Sequence, residues 1–168
     1  MNSNTTIKKI KIIESNGKIE IDRENKNGAE DIKGIFSEPA HPDFYAAMDA
    51  LAEPAAEILE APELADRLKP VAVTFRYTAD GSMSAILTVK LQMWLGDETV
   101  INTPLRKSYV DGDSQRELAQ ELSAGTVKRL WALEAEARKY LTGKRAQKNL
   151  FEEDVTPKDE PEAIPQAV

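Results

Sequence analysis

Apolar and charged positions alternate at the start of the chain. Ile10 and Ile12 take turns with Lys9 and Lys11, and Ile19 and Ile21 take turns with Lys18, Glu20 and Asp22. A period of two sends successive side chains to opposite faces of a strand, so each run predicts one buried and one wet face. Asn16-Gly17 lies between the runs and supplies the positive φ values of a tight type I′ turn, which predicts a β-hairpin. The polar stretch RENKNGAEDIKG that follows reads as a loop or as a ragged continuation of the strand.

The period then changes. Phe44, Met48, Leu51, Ala55, Ile58 and Leu59 recur every three or four residues, which predicts a helix. Pro42 suits its first turn, Asp43 suits the positive end of its dipole, and Pro54 must kink it or break it in two. Alternation returns at Val71, Val73, Phe75 and Tyr77; Asp80-Gly81 turns the chain, and Ile86 to Trp94 brings it back. ETVINTPLRKSYV is a third strand after a Gly96-Asp97 turn, with Pro104 confining its second half to a sheet edge. The last element is a long helix from Ser114, where Ser114 and Glu117 form a capping box. Its stripe is Leu118, Leu122, Leu130, Leu133, Ala137, Tyr140 and Leu141, and Gly143 stops it.

The order ββ-α-βββ-α predicts an α+β fold: an antiparallel sheet of about five strands with two helices over one face. Residues 1–151 form a single domain. The acidic, proline-containing segment 152–168 is expected to be disordered. The hairpin-rich order leaves edge strands that can pair between copies of the chain.

Composition narrows the chemistry. The 168 residues contain no cysteine, which excludes disulfides, thiolate nucleophiles and sulfur-ligated zinc and fits a reducing cytoplasm. The N-terminal apolar run is too short for a signal peptide and no window approaches a membrane span, so the chain reads as cytoplasmic with no membrane partner. A net charge of −7 argues against a sequence-independent grip on nucleic acid. The exception to weigh is the Lys8-Lys9-Lys11 face of the first hairpin, a solvated strand face or a local basic patch.

Candidate catalytic residues are few. His41, the one histidine, stands beside Pro42 at a helix start and reads as a cap. Asp111 and Asp113 in VDGDSQRE stand two apart like calcium ligands, but Arg116 takes the place of the loop's required glycine. With no phosphate-binding glycine loop either, no catalytic residue, metal or cofactor is assigned, and the expectation is a non-enzymatic protein.

Two features point to binding. Val127, Trp131 and Ala135 make a second stripe beside the leucines, either the flank of a wide core face or an exposed aromatic anchor for a partner. The second is QKNLF, Gln147 to Phe151, where two large apolar residues stand at the entrance to the acidic tail. It resembles the short peptides, written loosely Gln-Leu-(Ser/Asp)-Leu-Phe, by which bacterial replication and repair proteins dock on the sliding clamp. The resemblance implies that Gln147 hydrogen-bonds in a polar subsite while Leu150 and Phe151 fill an apolar cleft. Lys148 and Asn149 depart from that pattern, and Leu150 and Phe151 have a second use as the last apolar turn of the domain. More broadly, EPAHPDFYAAMDAL, VTFRY, INTP and RKYLTGKRAQKNLF resemble an uncharacterised group of phage and prophage proteins ending in Arg-Ala-Gln-x-x-Leu-Phe. That resemblance implies a setting in the infected host cell, near DNA metabolism, and no mechanism. The sequence therefore supports an adaptor for replication machinery through Gln147, Leu150 and Phe151, with Trp131 as a further contact. A different class, an acidic inhibitor or decoy of a host nucleic-acid-binding or defence protein, draws on the charge of −7 and on Glu152-Glu153-Asp154.

Overall fold

A computed structural model describes residues 5–25, 30–79, 81–108 and 121–146. The fold is α+β. Its sheet is wholly antiparallel, and its strands are β1 (Thr5–Ile13), β2 (Lys18–Asn25), β3 (Glu30–Phe36), β4 (Leu68–Tyr77), β5 (Met83–Gln92), β6 (Glu98–Asn102) and β7 (Arg106–Lys107). The spatial order is β3-β2-β1-β4-β5-β6, with β7 also on β5. Two meanders, β1–β3 and β4–β6, thus meet where β1 pairs with β4. Helices α1 (Pro42–Asp49), α2 (Ala52–Ile58) and α3 (Ala124–Leu141), with a 3-10 helix at Pro62–Arg67, complete the fold.

One row of residues shows how the sheet is sided. Ile21, Ile10, Val73 and Leu87 are successive partners across four strands, and all are buried. They join Phe44 and Met48 of α1, Leu51 and Ala55 at α2, and Leu130, Leu133, Ala137 and Tyr140 of α3 in one core. The next row, Ile35, Glu20, Lys11, Ala72 and Thr88, faces the other way. Two bulges keep the apolar side in phase. Ile7 pairs with Arg23 and Lys9 with Asp22, so Lys8 is an extra residue, and Ile7 reaches the same core as Ile10 despite the odd spacing. Val71 is extra in the same way between Pro70 and Ala72.

Several expectations are corrected. The sheet has seven strands rather than five, because part of the presumed loop after Arg23 is β3, which covers the outer side of β2. The first hairpin closes at Ile13 and Lys18 around four residues, and Gly17, not Asn16, carries the positive φ (67°), so the turn is not type I′. Asn16 instead uses its side chain, Oδ1 accepting from the Lys18 amide at 3.0 Å. The expected strand from Glu98 onward splits into β6 and β7, both on β5, with Pro104 in the gap.

The helices are three rather than two. The break between α1 and α2 falls before Pro54, which sits in the first turn of α2. Pro54 has no N–H for the carbonyl of Ala50, and its ring crowds that carbonyl. Arg129 of α3 donates to the freed oxygen at 3.1 Å and to Glu53 at 2.8 Å. Nor does α3 run through Leu122: that residue's amide donates to the Lys107 carbonyl at 3.0 Å, and Glu121 bridges Lys107 in extended form. Ser123 is the actual cap, its Oγ accepting from the Thr126 amide at 3.2 Å. The proposed Ser114–Glu117 box, Leu118, the Asp111–Asp113 pair, Asp80 and the tail 152–168 lie outside the described residues.

Candidate functional site

The C-terminal end of α3 is tied to the start of α1 by aromatic packing. Tyr140 lies edge-on to Phe36 at 5.5 Å and tilted against Phe44 at 5.9 Å, and its hydroxyl donates to the Glu38 carbonyl at 2.6 Å. Gly143, at φ 113°, then turns the chain back. Arg145 bridges Ala40, stacks its guanidinium 3.7 Å over the Tyr140 ring and donates to the Glu38 carboxylate at 2.8 Å. The Ala146 amide donates to the Pro39 carbonyl at 3.2 Å. Lys144 holds Asp43 at 2.7 Å and Glu136 at 3.1 Å. The three residues before Gln147 are therefore fastened to the domain surface. Gln147, Leu150 and Phe151 themselves lie outside the described residues.

Trp131 is described, and it falls between the two roles proposed for it. Its ring lies 6.3 Å from that of Tyr77, inclined by 34°, yet 43% of the residue is exposed. Val127 is half-buried and Ala135 exposed, so the stripe is the margin of the core face. The Tyr77 hydroxyl beneath has no hydrogen-bond partner among the described residues. Burial, with the nearby Glu134 carboxylate adding to it, pushes that phenol above its ordinary pKa.

Two lysines of the first hairpin, Lys8 and Lys9, are matched by carboxylates. Lys8 pairs with Glu24 at 2.6 Å, and Lys9 and Lys33 both reach Glu20, at 2.8 and 3.4 Å. Farther along the sheet Glu14 takes Lys69 and Lys90 together. Hydrogen bonds from Lys9 at Glu20, and from Lys69 and Lys90 at Glu14, hold both carboxyls below the usual range. That direction is opposite to the raised pKa of a general acid. Pairing of Lys8 and Lys9 with carboxylates reduces the charge this face can offer to phosphates.

His41 caps α1, its Nδ1 accepting from the Asp43 amide at 3.3 Å. No group of three or more His, Asp or Glu able to hold a metal occurs among the described residues, and none of the described helices is long and apolar enough to cross a membrane.

Sequence reasoning missed the most exposed apolar feature. Trp94 was expected to end a strand; it instead sits with Leu95 at the apex of the β5–β6 hairpin, 86% and 94% exposed. The Gly96 amide donates to the Met93 carbonyl at 3.1 Å and the Met93 amide to the Asp97 carbonyl at 2.7 Å, with Gly96 at φ 93°. That is a type I turn closed by a glycine bulge, with Trp94 and Leu95 at its central positions. Arg67 fixes the apex: its guanidinium lies 4.2 Å over the Trp94 ring while Nε donates to the Gln92 carbonyl at 2.9 Å. The available signal was the turn glycine at position 96, which places the two residues before it at a turn rather than in a strand.

Comparison with protein-family models, with curated proteins and with solved structures gives no match.

Proposed function

We propose that this protein is a non-enzymatic adaptor that docks on DNA-replication machinery, a sliding clamp, through Gln147, Leu150 and Phe151. The observation that supports the reading is the fastening of Lys144, Arg145 and Ala146 against Pro39, Ala40 and Asp43. A linear motif works when its anchors begin next to a fixed point, because less chain must be ordered on binding. Gln147 directly follows such a point. Two large apolar anchors and one register-fixing amide suit an apolar cleft with a polar subsite, at an affinity around micromolar, or about −8 kcal/mol. The phage setting implied by the resemblance is consistent with recruitment of a host or phage replication protein. Binding of a fluorescent peptide spanning residues 142–155 to a sliding clamp tests this. The expected result is micromolar binding that is lost in the Leu150→Ala, Phe151→Ala peptide and competed by the full-length protein. Absence of binding by both peptide and protein overturns it.

A second reading has its own observation. Between residues 42 and 66 the chain carries Asp43, Asp49, Glu53, Glu57, Glu60, Glu63 and Asp66 with no lysine or arginine, and all seven are exposed, although Lys144 pairs with Asp43 and Arg129 with Glu53. Such an acidic segment fits an inhibitor or decoy offering carboxylates where a target expects phosphates. Partner binding that falls steeply with salt and survives the Leu150/Phe151 change selects this reading over the first.

A further inference from the structure

Eight large apolar residues are exposed among the described residues; four of them, Met93, Trp94, Leu95 and Val100, belong to the β5–β6 hairpin, and a fifth, Leu105, follows β6. β6 is the outermost strand on that side. The Met93 amide donates to Asp97 at 2.7 Å and the Thr103 amide to Leu87 at 2.8 Å, and the register with β5 is unbroken between them. Backbone groups of Asp97, Thr99, Ile101 and Thr103 therefore turn inward, while those of Glu98, Val100 and Asn102 turn outward, with no strand paired to them among the described residues. Natural edge strands are blunted with lysine, proline or inward charge. The opposite edge, β3, carries Glu30, Asp31, Lys33 and Gly34, whereas β6 reads Glu-Thr-Val-Ile-Asn.

We propose that β6 is a self-association edge, on which β6 of a second copy of this chain pairs antiparallel about a two-fold axis at Val100. In that register Val100 meets Val100 of the second copy and exchanges both backbone hydrogen bonds with it. Glu98 meets Asn102 at each end, an acceptor facing an amide donor. The other symmetric registers are poorer. Centring on Thr99 sets the apolar Val100 against the Glu98 carboxylate, and centring on Ile101 sets Glu98 against Pro104, which has no amide to give. Centring on Glu98 opposes two carboxylates, and centring on Asn102 sets Val100 against Pro104. This self-complementarity selects a second copy over an unrelated strand, as a two-fold interface requires.

The chain has no cysteine, so single cysteines report the geometry directly. Val100→Cys places two thiols on residues about 5.5 Å apart at Cα, within disulfide range. Thr99→Cys places them beyond about 7 Å, on the other face. Mild oxidation of the full-length variants is expected to link Val100→Cys into a dimer and to leave Thr99→Cys monomeric. Sedimentation is expected to show a concentration-dependent dimer of the unaltered chain. Asn102→Glu, which opposes two pairs of carboxylates, is expected to weaken that dimer about tenfold, and Asn102→Lys not at all. Matching thermal melts confirm that each variant folds. A chain that stays monomeric at high concentration and cross-links equally slowly from both cysteines overturns the proposal. So does a monomer whose Val100 amide is protected from hydrogen exchange, since another segment then occupies the edge.

Discussion

Glu60 occupies, at the end of α2, the position that Gly143 occupies at the end of α3. Both helices close with the same pair of bonds, from Ala61 to Ala56 and Glu60 to Glu57 in one, from Lys144 to Lys139 and Gly143 to Tyr140 in the other. Both residues have positive φ, 57° at Glu60 and 113° at Gly143. The left-handed conformation crowds a Cβ against the backbone and leaves glycine unstrained. Glu60→Gly is therefore expected to raise stability by about 0.5–1 kcal/mol, read as a higher denaturant midpoint at unchanged slope. A lower midpoint would mean that the glutamate side chain contributes more than the strain it causes.

Lys8 is an extra residue in β1 rather than a needed charge. Its pair with Glu24 is exposed at both ends, so Lys8→Ala is expected to change stability by less than about 0.5 kcal/mol. Deleting Lys8 removes the bulge and brings Ile7 into even spacing with Ile10, so Ile7 stays on the buried face opposite Arg23. The deletion is therefore expected to cost less than about 2 kcal/mol, the burial value of one isoleucine. Chemical denaturation of the two variants side by side checks this, and a larger loss would show that Ile7 leaves the core and would remove the register argument.

What the sequence announced was what local chemistry decides. The period of two in the first hairpin marked Ile10, Ile19 and Ile21, and the helical period marked Phe44, Met48, Leu130 and Tyr140, all buried. Pro54 foretold the helix break because its missing N–H acts within one turn. Pairing decided by distant neighbours was not legible. β3 has polar residues because it is an edge, and its identity comes from β2 lying alongside. The chain at Leu122 stays extended because Lys107 offers a carbonyl, overriding the helical spacing of the leucines. Of the candidate site, His41 was legible as a cap, since Pro42 and Asp43 follow it directly. Trp94 was not, because a strand-favouring residue occupies a turn whose only marker is the glycine after Leu95.

The clamp of Lys144 on Asp43 and Glu136 makes part of the stability depend on pH. The Lys144 hydrogen bond lowers the pKa of Asp43. At Glu136 burial opposes the charge, but Lys139 and Lys144 outweigh it and the net shift is downward. Lys144 itself is raised by its bonds to Asp43 and Glu136. Depressed carboxylates contribute stability above their unfolded pKa, near pH 4, and lose it as pH falls through the folded value. A raised lysine contributes below about 10.5 and loses it as pH climbs through its folded value. Lys144→Met is thus expected to be less stable than the unaltered chain from about pH 5 to 10. The two curves should converge below about pH 3. Thermal melts across that range test it; a gap that persists at pH 2.5 would assign the loss to packing of the lysine stem.

Tyr77 offers the sharpest test of how the Trp131 margin is built. Its ring stacks on Phe75 at 6.3 Å and is covered by Trp131 at the same separation, while its hydroxyl is buried without a hydrogen-bond partner among the described residues. A buried donor left unmade costs more than a made hydrogen bond returns, whereas an apolar replacement of the same shape removes the cost. Tyr77→Phe keeps both ring contacts and deletes only the oxygen. It is expected to stabilise the fold by about 1 kcal/mol, where loss of a satisfied hydroxyl would destabilise it by a similar amount. Trp131→Ala should act through the same group. Uncovering Tyr77 lets water reach the phenol, and its raised pKa should move back toward the ordinary value, visible in an absorbance titration of the tyrosinate. A destabilised Tyr77→Phe variant would show that the hydroxyl does have a partner, and Trp131 would then be shielding a hydrogen bond rather than only the edge of a ring.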